Sequence, residues 1–297
     1  MDKVNVYWLS YHDDILARGY WDQGNLEEIF AQGNYEHHVG IKDVPEGQGG
    51  IVIINGRTHV EDTQFINEDI AKLAWILFID TGDEESVFPW REIKHPRMRV
   101  WVMLPKLNMH DDVSYRLPNG YRPETRATLE QIGPQDRIYD FFFAGQVTHD
   151  RRLQCMEAVR SLSRDVRGYV VETKEFGGRG GLAYPDYMAK MAASKIVLCP
   201  SGPESPDNFR LYEALEAGCL PIVDAFSTKH QAPGFWQLLL GNDIPFPIVN
   251  YWDVLPELLP NLLRDWPHNA NKANAWWLQK KREMKFKLED DIRELSR

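Results

Sequence analysis

Short, continuous runs of apolar residues constrain the fold of this chain more than any other feature of its sequence. In the first half these runs are Val4 to Leu9, Ile51 to Asn55, Leu73 to Asp80 and Arg99 to Leu104. Strands that are buried on both faces of a parallel sheet read as such runs, whereas half-solvated strands alternate. Helix-like stretches separate the runs. The order of strands and helices therefore predicts an open, mostly parallel sheet covered by helices.

The second half repeats this order after a turn-rich stretch, Leu117 to Pro123, which is predicted to be a linker. The strands predicted there are Tyr139 to Ala144, Gly168 to Glu172, Lys195 to Cys199 and Leu220 to Val223. The helices predicted between them are His149 to Leu162, Tyr184 to Ser194 and Pro206 to Ala217. We therefore expect an α/β chain with two Rossmann-like domains, 1–120 and 121–265.

The tail, 266–297, is highly charged and helix-prone from Ala270 onwards. It is predicted to be a terminal helix that packs back onto the N-terminal domain. The alternative is a solvated helix on the surface.

Composition narrows the class of protein. Hydrophobic residues make up 43% and charged residues 26% of the 297 residues, which is globular composition. The net charge of −10 argues against nucleic acid as an obligate partner, although it leaves a local basic groove open. Cys155, Cys199 and Cys219 show no CxxC spacing and are expected to be buried free thiols. The first residues lack a signal-peptide pattern, and no apolar run approaches the ~18 residues of a membrane span. The sequence therefore predicts a soluble, cytoplasmic protein.

The densest chemical signal lies in the segment from Lys195 to Val223, where a strand runs into a Pro/Gly/Ser loop that opens a helix. Ser205 is predicted to be the N-cap, Pro206 the first helical residue, and Gly218 a left-handed C-terminal cap. The N-terminus of such a helix attracts anions, because its free N–H groups and its dipole both favour a phosphate.

Arg210 and Glu213 lie three residues apart on this helix and therefore share a face, which is expected to point towards an interdomain cleft. A guanidinium group can hold a diphosphate through two parallel hydrogen bonds. A carboxylate one turn further on can accept hydrogen bonds from two ribose hydroxyls. The alternative is an exposed Arg210–Glu213 ion pair that contributes little.

This segment resembles the donor-binding segment of the GT-B glycosyltransferases, and in particular that of exostosin-like (GT47-type) enzymes. The residues that carry the resemblance are Pro200-Ser201-Gly202, Arg210 to Ala214 and Gly218 to Val223. Upstream, Phe143-Ala144-Gly145 followed by Arg151 or Arg152 is similar to the family's glycine turn and basic helix start. The resemblance covers roughly 117–223.

The resemblance implies a GT-B fold, in which two Rossmann-like domains face a cleft, and a hexosyl- or pentosyltransferase that inverts the anomeric carbon. It implies that Arg210 binds the donor diphosphate and that Glu213 binds the ribose. The donor-binding residues that it implies are Gly145, Arg151, Arg152, Ser201, Gly202, Asn208, Arg210 and Glu213. The expected donor is a nucleotide-diphosphate sugar, with a UDP-sugar as the first candidate. No obligatory cofactor or metal is expected.

Inverting transfer needs a base that takes the proton of the acceptor hydroxyl. In GT-B enzymes this base usually lies in the N-terminal domain. The candidates are Asp13, Asp14 and Asp22, with His12 as a secondary candidate. The alternative for each is a polar loop residue or a helix cap. Asp83 and Glu84 also follow a predicted strand and are further candidates for substrate contact.

Other functions remain open at this point. A non-catalytic sugar- or nucleotide-binding module would tolerate the loss of the three aspartates. The stretch Gly178 to Ala183 matches GxGxxA, which leaves an NAD-linked oxidoreductase as a weaker alternative to a mobile loop. The acceptor is open among a saccharide, a small molecule, a protein and a hydroxymethylated DNA base. A DNA acceptor would require a basic groove, for which the candidate residues are Arg116, Arg122, Arg126, Arg151 and Arg152.

Overall fold

The computed structural model describes residues 3–9, 24–41, 47–55, 63–81, 90–103, 113–174 and 180–297. The chain divides into two compact units. The first unit comprises Met1–Asn119 with Lys281–Arg297, and the second comprises Gly120–Lys280. Each contains one sheet in which every strand pair of the described residues is parallel. The predicted α/β fold with two parallel sheets is therefore confirmed.

The sheet of the first unit has the strand order β2-β1-β3-β4-β5-β6. Its strands are β1 (Val4–Leu9), β2 (Tyr35–Val39), β3 (Gly50–Asn55), β4 (Ile76–Thr81), β5 (Met98–Met103) and β6 (Tyr115–Leu117). The helices of this part are α1 (Gly24–Ala31) and α2 (Thr63–Ile70). The side chains of Ile51 to Ile54 and Ile76 to Ile79 are completely buried. Burial on both faces of the sheet is the reason why these strands appear as continuous apolar runs.

Strands β2 and β6 were not predicted, and they form the two edges of this sheet. An edge strand has one side without a neighbouring strand, so it tolerates polar residues such as Glu36 and His37 of β2. Leu117, predicted to begin the linker, is the buried last residue of β6. In this sheet, apolar content therefore reveals the central strands and misses the two edges.

The sheet of the second unit has the strand order β11-β10-β9-β7-β8. Its strands are β7 (Tyr139–Gln146), β8 (Gly168–Thr173), β9 (Ser194–Cys199), β10 (Leu220–Asp224) and β11 (Ile248–Val249). The helices are α3 (Thr125–Ile132), α4 (Asp150–Arg160), α5 (Tyr184–Ala192), α6 (Phe209–Glu216), α7 (Phe235–Leu240) and α8 (Leu255–Arg264). The strands and helices predicted for this half are present, with shifted ends.

The strand order of the second sheet reverses beside β7. The chain passes from β7 to β8 on one side of β7, and it then continues through β9 and β10 on the other side. Ligands of open parallel sheets bind at such a switch point, outside the carboxyl ends of the strands. In this sheet the relevant residues are those that follow Gly145 of β7 and Cys199 of β9.

Helix α9 (Trp266–Ser296) supplies its first part to the second unit and its last residues to the first unit. In the second unit, Trp277 Nε1 donates a hydrogen bond to Glu216 Oε1 at 2.7 Å. In the first unit, Trp101 Nε1 donates to Asp291 Oδ2 at 2.8 Å. Both parts of α9 thus have a buried side, and the alternative of a solvated surface helix is wrong. Within the described ranges, no helix has the length and hydropathy of a membrane span.

Candidate functional site

The carboxyl ends of β7, β9 and β10 are tied together by two arginines from the first turn of α4. Arg152 Nε donates to Ser201 O at 3.1 Å, and its Nη1 donates to Gln146 O at 3.0 Å. Arg151 Nε donates to Asp224 Oδ1 at 3.0 Å, and its Nη2 also contacts this oxygen. The loop that follows β9 is therefore held against the end of β7.

Asp224, the last residue of β10, fixes the backbone of this loop. Its Oδ2 accepts a hydrogen bond from the backbone N–H of Ser201 at 2.8 Å. Asp224 and Arg151 are both buried. Burial raises the pKa of the Asp224 carboxyl, and the neighbouring Arg151 charge opposes that rise. This paired, hydrogen-bonded carboxyl group therefore fixes the backbone of the loop at Ser201.

Helix α6 begins three residues later than predicted. It starts at Phe209, and Asn208 is its N-cap with an extended backbone and no side-chain capping bond. The prediction that Ser205 caps the helix is wrong because Ser205 Oγ accepts the N–H of Asp207 at 3.1 Å in a local turn.

The end of α6 is as predicted. Gly218 has a φ of 68°, and Cys219 N–H donates to Ala214 O at 2.9 Å.

Arg210 lies in the first turn of α6 and is only 4% exposed. Its Nη2 donates to Ala144 O of β7 at 2.9 Å, and its guanidinium carbon lies 4.9 Å from the centre of the Phe143 ring. Nε and Nη1 are shielded from solvent and have no hydrogen-bond partner in the part of the chain that the structure describes. A buried guanidinium with two unused nitrogens is an incomplete site for an anion.

Gly145 makes this position of Arg210 possible. A Cβ atom at residue 145 would lie 2.5 Å from Arg210 Nη2, which is closer than any side chain allows. The glycine of β7 therefore brings the backbone close to the arginine of α6.

Glu213 is completely buried and does not form the exposed ion pair with Arg210 that the sequence left open as an alternative. Tyr187 Oη donates to its Oε2 at 2.9 Å, and Tyr184 Oη donates to its Oε1 at 3.1 Å. Thr125 Oγ1 lies 2.6 Å from Tyr184 Oη. Burial raises the pKa of Glu213 to about 7, although the two tyrosine hydroxyls and the Arg210 charge oppose that rise.

Two further polar atoms, on the loop after β9 and at the start of α6, lack partners among the described residues. They are the hydroxyl of Ser201, which is completely buried, and Oδ1 of Asn208. The backbone N–H of Gly202, another predicted donor-binding residue, donates to Ser205 O at 3.1 Å. Leaving a buried polar atom without a partner costs about 1–3 kcal/mol, so a cluster of such atoms indicates a ligand site.

The family of the chain follows from a match that spans most of this site. Residues 126–294 match the family model of the RXYLT1 C-terminal domain. The chain belongs to the RXYLT1 C-terminal domain family. The match includes Gly145, Ser201, Arg210 and Glu213, so the site lies within the region that defines membership of the RXYLT1 C-terminal domain family. Membership of the exostosin-like (GT47-type) family stays a prediction.

Several solved structures are similar to this member of the RXYLT1 C-terminal domain family. The DNA-modifying enzyme β-glucosyltransferase is 14% identical, with a TM-score of 0.49, and the match covers 98% of this chain and 99% of that one. An α1,3-fucosyltransferase is 10% identical, with a TM-score of 0.48 and coverage of 92% and 81%. Anabaena Alr3699/HepE, solved in complex with UDP-glucose, is 12% identical, with a TM-score of 0.45 and coverage of 98% and 98%. No curated protein sequence matches the chain.

Several predicted residues lie outside the described part of the chain. They are the base candidates Asp13, Asp14 and Asp22 with His12, the acidic pair Asp83 and Glu84, and the first residues of the glycine stretch, Gly178 and Arg179. Within the described ranges, no group of three or more His, Cys, Asp or Glu side chains is arranged to hold a metal ion.

Arg151 and Arg152 do not contribute to an open basic groove of the kind that a DNA acceptor would require, because both are buried.

Sequence reasoning missed three groups that the structure brings into the site. Asp224 directly follows an apolar run. An acidic residue at the carboxyl end of a predicted strand indicates a site residue, so Asp224 could have been identified from the sequence. Tyr184 and Tyr187 lie three residues apart on α5, so a shared face was foreseeable. The third is His149, the N-cap of α4.

Proposed function

We propose that this chain is a glycosyltransferase that moves a sugar from a nucleoside-diphosphate donor to an acceptor hydroxyl. The observation that carries the proposal is Arg210, a buried guanidinium whose Nε and Nη1 have no partner among the described residues. Nε and Nη1 donate from different edges of the guanidinium plane, so each can bind a different oxygen of a diphosphate. The N-terminus of α6 adds the partial positive charge of its dipole at the same place.

The surrounding residues support a diphosphate in particular. Ser201 Oγ adds an unpartnered hydroxyl donor on the loop after β9, whereas Asn208 Oδ1, at the start of α6, is an acceptor that suits a hydroxyl of the donor. We assign Arg151 and Arg152 to holding the loop, since they donate hydrogen bonds to Asp224, Ser201 and other protein acceptors. Donor binding would then depend on them indirectly, through the position of the loop.

Glu213 is proposed to bind the ribose of the donor. Each of its carboxylate oxygens accepts one tyrosine hydroxyl and retains capacity for a further hydrogen bond. Because Glu213 is completely buried, a ribose would reach it only when the hydroxyl of Tyr184 or Tyr187 makes way. Binding of the ribose is therefore expected to change the environment of these two tyrosines.

The chemistry of transfer requires two kinds of group. A cation at the diphosphate stabilises the charge that develops on the leaving group. A base must take the proton from the acceptor hydroxyl, and Asp13, Asp14 and Asp22 remain the proposed candidates. Their Asn variants should bind the donor normally and lose transfer, whereas a non-catalytic binding module would show no transfer to lose.

For the substrates, we propose inversion at the anomeric carbon, no metal requirement, and a UDP-sugar as the first donor to test. The acceptor is proposed to be a saccharide or a small molecule. Titrations in EDTA and in Mg²⁺ or Mn²⁺ test the metal requirement, because metal-independent binding should be equal in all three.

Calorimetric titration with UDP and GDP tests the donor site. The wild type should bind one of them, and Arg210→Ala should weaken binding by about tenfold or more, as expected for hydrogen bonds to a charged group. Arg210→Lys should restore only part of the affinity, because a point charge lacks the paired N–H groups.

Arg160→Ala is the matched control, since Arg160 is an exposed arginine of the same unit that pairs with Glu172 at 3.1 Å. The control should bind as the wild type does. Equal affinity in Arg210→Ala and the wild type would overturn the assignment of the donor site.

A further inference from the structure

His149 is a half-buried polar residue that has no role in the chemistry proposed above. It is the N-cap of α4, with an extended backbone, and its side chain makes no capping bond. Both ring nitrogens are shielded from solvent and lack a partner among the described residues. On folding, the imidazole loses the water that it binds in the unfolded chain, and no described residue replaces those hydrogen bonds.

The position of His149 connects it to the donor site. It lies three residues after Gln146, the last residue of β7, and it precedes the turn of α4 that carries Arg152. Arg152 contacts both Gln146 O and Ser201 O, so the start of α4 is fixed to the loop that follows β9.

Two other side chains of the second unit, Ser201 on the loop after β9 and Arg210 on α6, indicate a ligand independently. Ser201 is completely buried and Arg210 is 4% exposed, and both carry unpartnered polar atoms. The unused nitrogens of His149 therefore belong to a group of unfilled hydrogen-bond positions at the carboxyl end of the second sheet.

The protonation of His149 decides which ligand it suits. Burial lowers the pKa of the imidazole to about 4, the charge of Arg152 and, to a lesser degree, that of Arg151 act in the same direction, and Asp150 opposes them. The ring is therefore neutral near pH 7, with one N–H donor and one acceptor nitrogen. Arg151 is paired with Asp224, but Arg152 and the N-terminus of α4 contribute positive charge, which favours an anionic oxygen over a sugar hydroxyl as the partner of the N–H.

We propose that His149 is a further donor-binding residue, whose ring N–H donates a hydrogen bond to a phosphoryl oxygen of the nucleoside diphosphate. The inference rests on the proposed function, and it adds a neutral donor on α4 to the charged donor, Arg210, on α6. The diphosphate would thus be bound from two helix N-termini that flank the switch point of the sheet.

Substitution by asparagine separates this role from that of a helix cap. His149→Asn keeps or improves the N-cap, because asparagine is among the preferred residues there, but it removes the imidazole. We expect its melting temperature to stay within a few degrees of the wild type, and its affinity for UDP or GDP to fall by about tenfold. Asparagine and glutamine both carry a neutral amide N–H, but only glutamine reaches as far as the imidazole Nε2, so His149→Gln should bind more tightly than His149→Asn. His268→Asn, at an exposed position on α9, is the control and should bind normally.

Nuclear magnetic resonance of the imidazole tests the contact itself. The ring signals of His149, assigned by their loss in His149→Asn, should shift on addition of the nucleotide, whereas those of His268 should not. Unmoved ring signals in a saturated complex, together with unchanged affinity of His149→Asn, would overturn this inference. The proposed donor site would stand if Arg210→Ala still weakened binding. Absence of binding of UDP and GDP to the wild type would overturn the proposed donor site, and this inference with it.

Discussion

The guanidinium group of Arg210 occupies the space that a side chain at Gly145 would need: a Cβ atom there would lie 2.5 Å from Nη2. This relationship couples β7 to α6. The two elements are also joined by the hydrogen bond between Arg210 and Ala144, which are 66 residues apart in the sequence. It also explains why a glycine follows the aromatic strand Tyr139 to Ala144. The position of the arginine depends on the absence of a side chain opposite it.

Gly145→Ala should therefore displace Arg210 and weaken nucleoside-diphosphate binding about as much as Arg210→Ala does. The backbone at Gly145 has a φ of 156°, so some loss of stability, of roughly 1 kcal/mol, is expected as well. Gly234→Ala is the control, because Gly234 also has a positive φ, of 90°, but a Cβ atom there would meet open space. It should lose stability without losing affinity.

Calorimetry of the double variant Gly145→Ala/Arg210→Ala completes this test. If the glycine acts through the arginine, the double variant should bind no more weakly than Arg210→Ala. Additive losses would mean that Gly145 affects binding by another route.

The buried carboxyl of Glu213 should make stability depend on pH. Its pKa is about 7 in the folded protein, because burial disfavours the charged form, and near 4.5 when unfolded. Between these values the native state holds a proton that the unfolded state has released, so the free energy of unfolding falls as pH rises. The contribution is fully present below about pH 4.5 and is lost above about pH 7, and it amounts to on the order of 3 kcal/mol.

Urea unfolding at pH 5 and pH 8 measures this dependence. Glu213→Gln should lose less stability between the two pH values than the wild type does, because glutamine cannot ionise. Glu257→Gln, which alters an exposed carboxylate of the same unit, should keep the wild-type difference. Identical differences in all three proteins would show that Glu213 does not titrate in this range.

The pair of Asp224 and Arg151 should be structural, although it lies beside the donor site. Asp224→Ala leaves the buried Arg151 charge without its partner and frees the backbone N–H of Ser201. Breaking a buried pair in this way costs about 3–5 kcal/mol. Replacing both partners, as in Asp224→Leu/Arg151→Met, should recover much of that loss in urea unfolding. If the losses of stability caused by the two single substitutions add up in the double variant, direct coupling between Asp224 and Arg151 is contradicted.

How far the sequence predicts this fold depends on burial. The runs at Ile51 to Asn55 and Lys195 to Cys199 are central strands, so their position was readable from apolar content alone. The polar edge strand β2 carries no such signal. The sequence from Ser205 to Phe209 is compatible with a helix that starts at any of several residues. In the structure, the hydrogen bond from Asp207 N–H to Ser205 Oγ forms a local turn before the helix begins.

The site was predictable in residue type but less so in contacts. Spacing showed that Arg210 and Glu213 share one face of α6, yet spacing cannot show which neighbours a side chain meets. In the structure Arg210 reaches Ala144 of β7, whereas Glu213 is bonded to two tyrosines of α5. These partners depend on tertiary packing, and that is also why the shielding of the His149 ring nitrogens was not foreseen.

In the first unit, Asp291 should anchor the end of α9 to β5. It is completely buried and accepts hydrogen bonds from Trp101 Nε1 at 2.8 Å and Lys287 Nζ at 2.7 Å, and Arg99 also contacts it. Asp291→Ala should lower the free energy of unfolding by about 3 kcal/mol or more. Asp290→Ala removes only an exposed pair and should cost less than about 1 kcal/mol. Equal effects of the two adjacent substitutions would contradict the anchoring role.

A crystal structure of the chain with bound UDP or GDP tests the central claim most directly. We predict that the diphosphate lies at the carboxyl end of the second sheet, with phosphoryl oxygens about 3 Å from Nε and Nη1 of Arg210 and from Oγ of Ser201. A nucleotide whose phosphates lie away from Arg210, with those two nitrogens still without a partner, would contradict the proposed donor site.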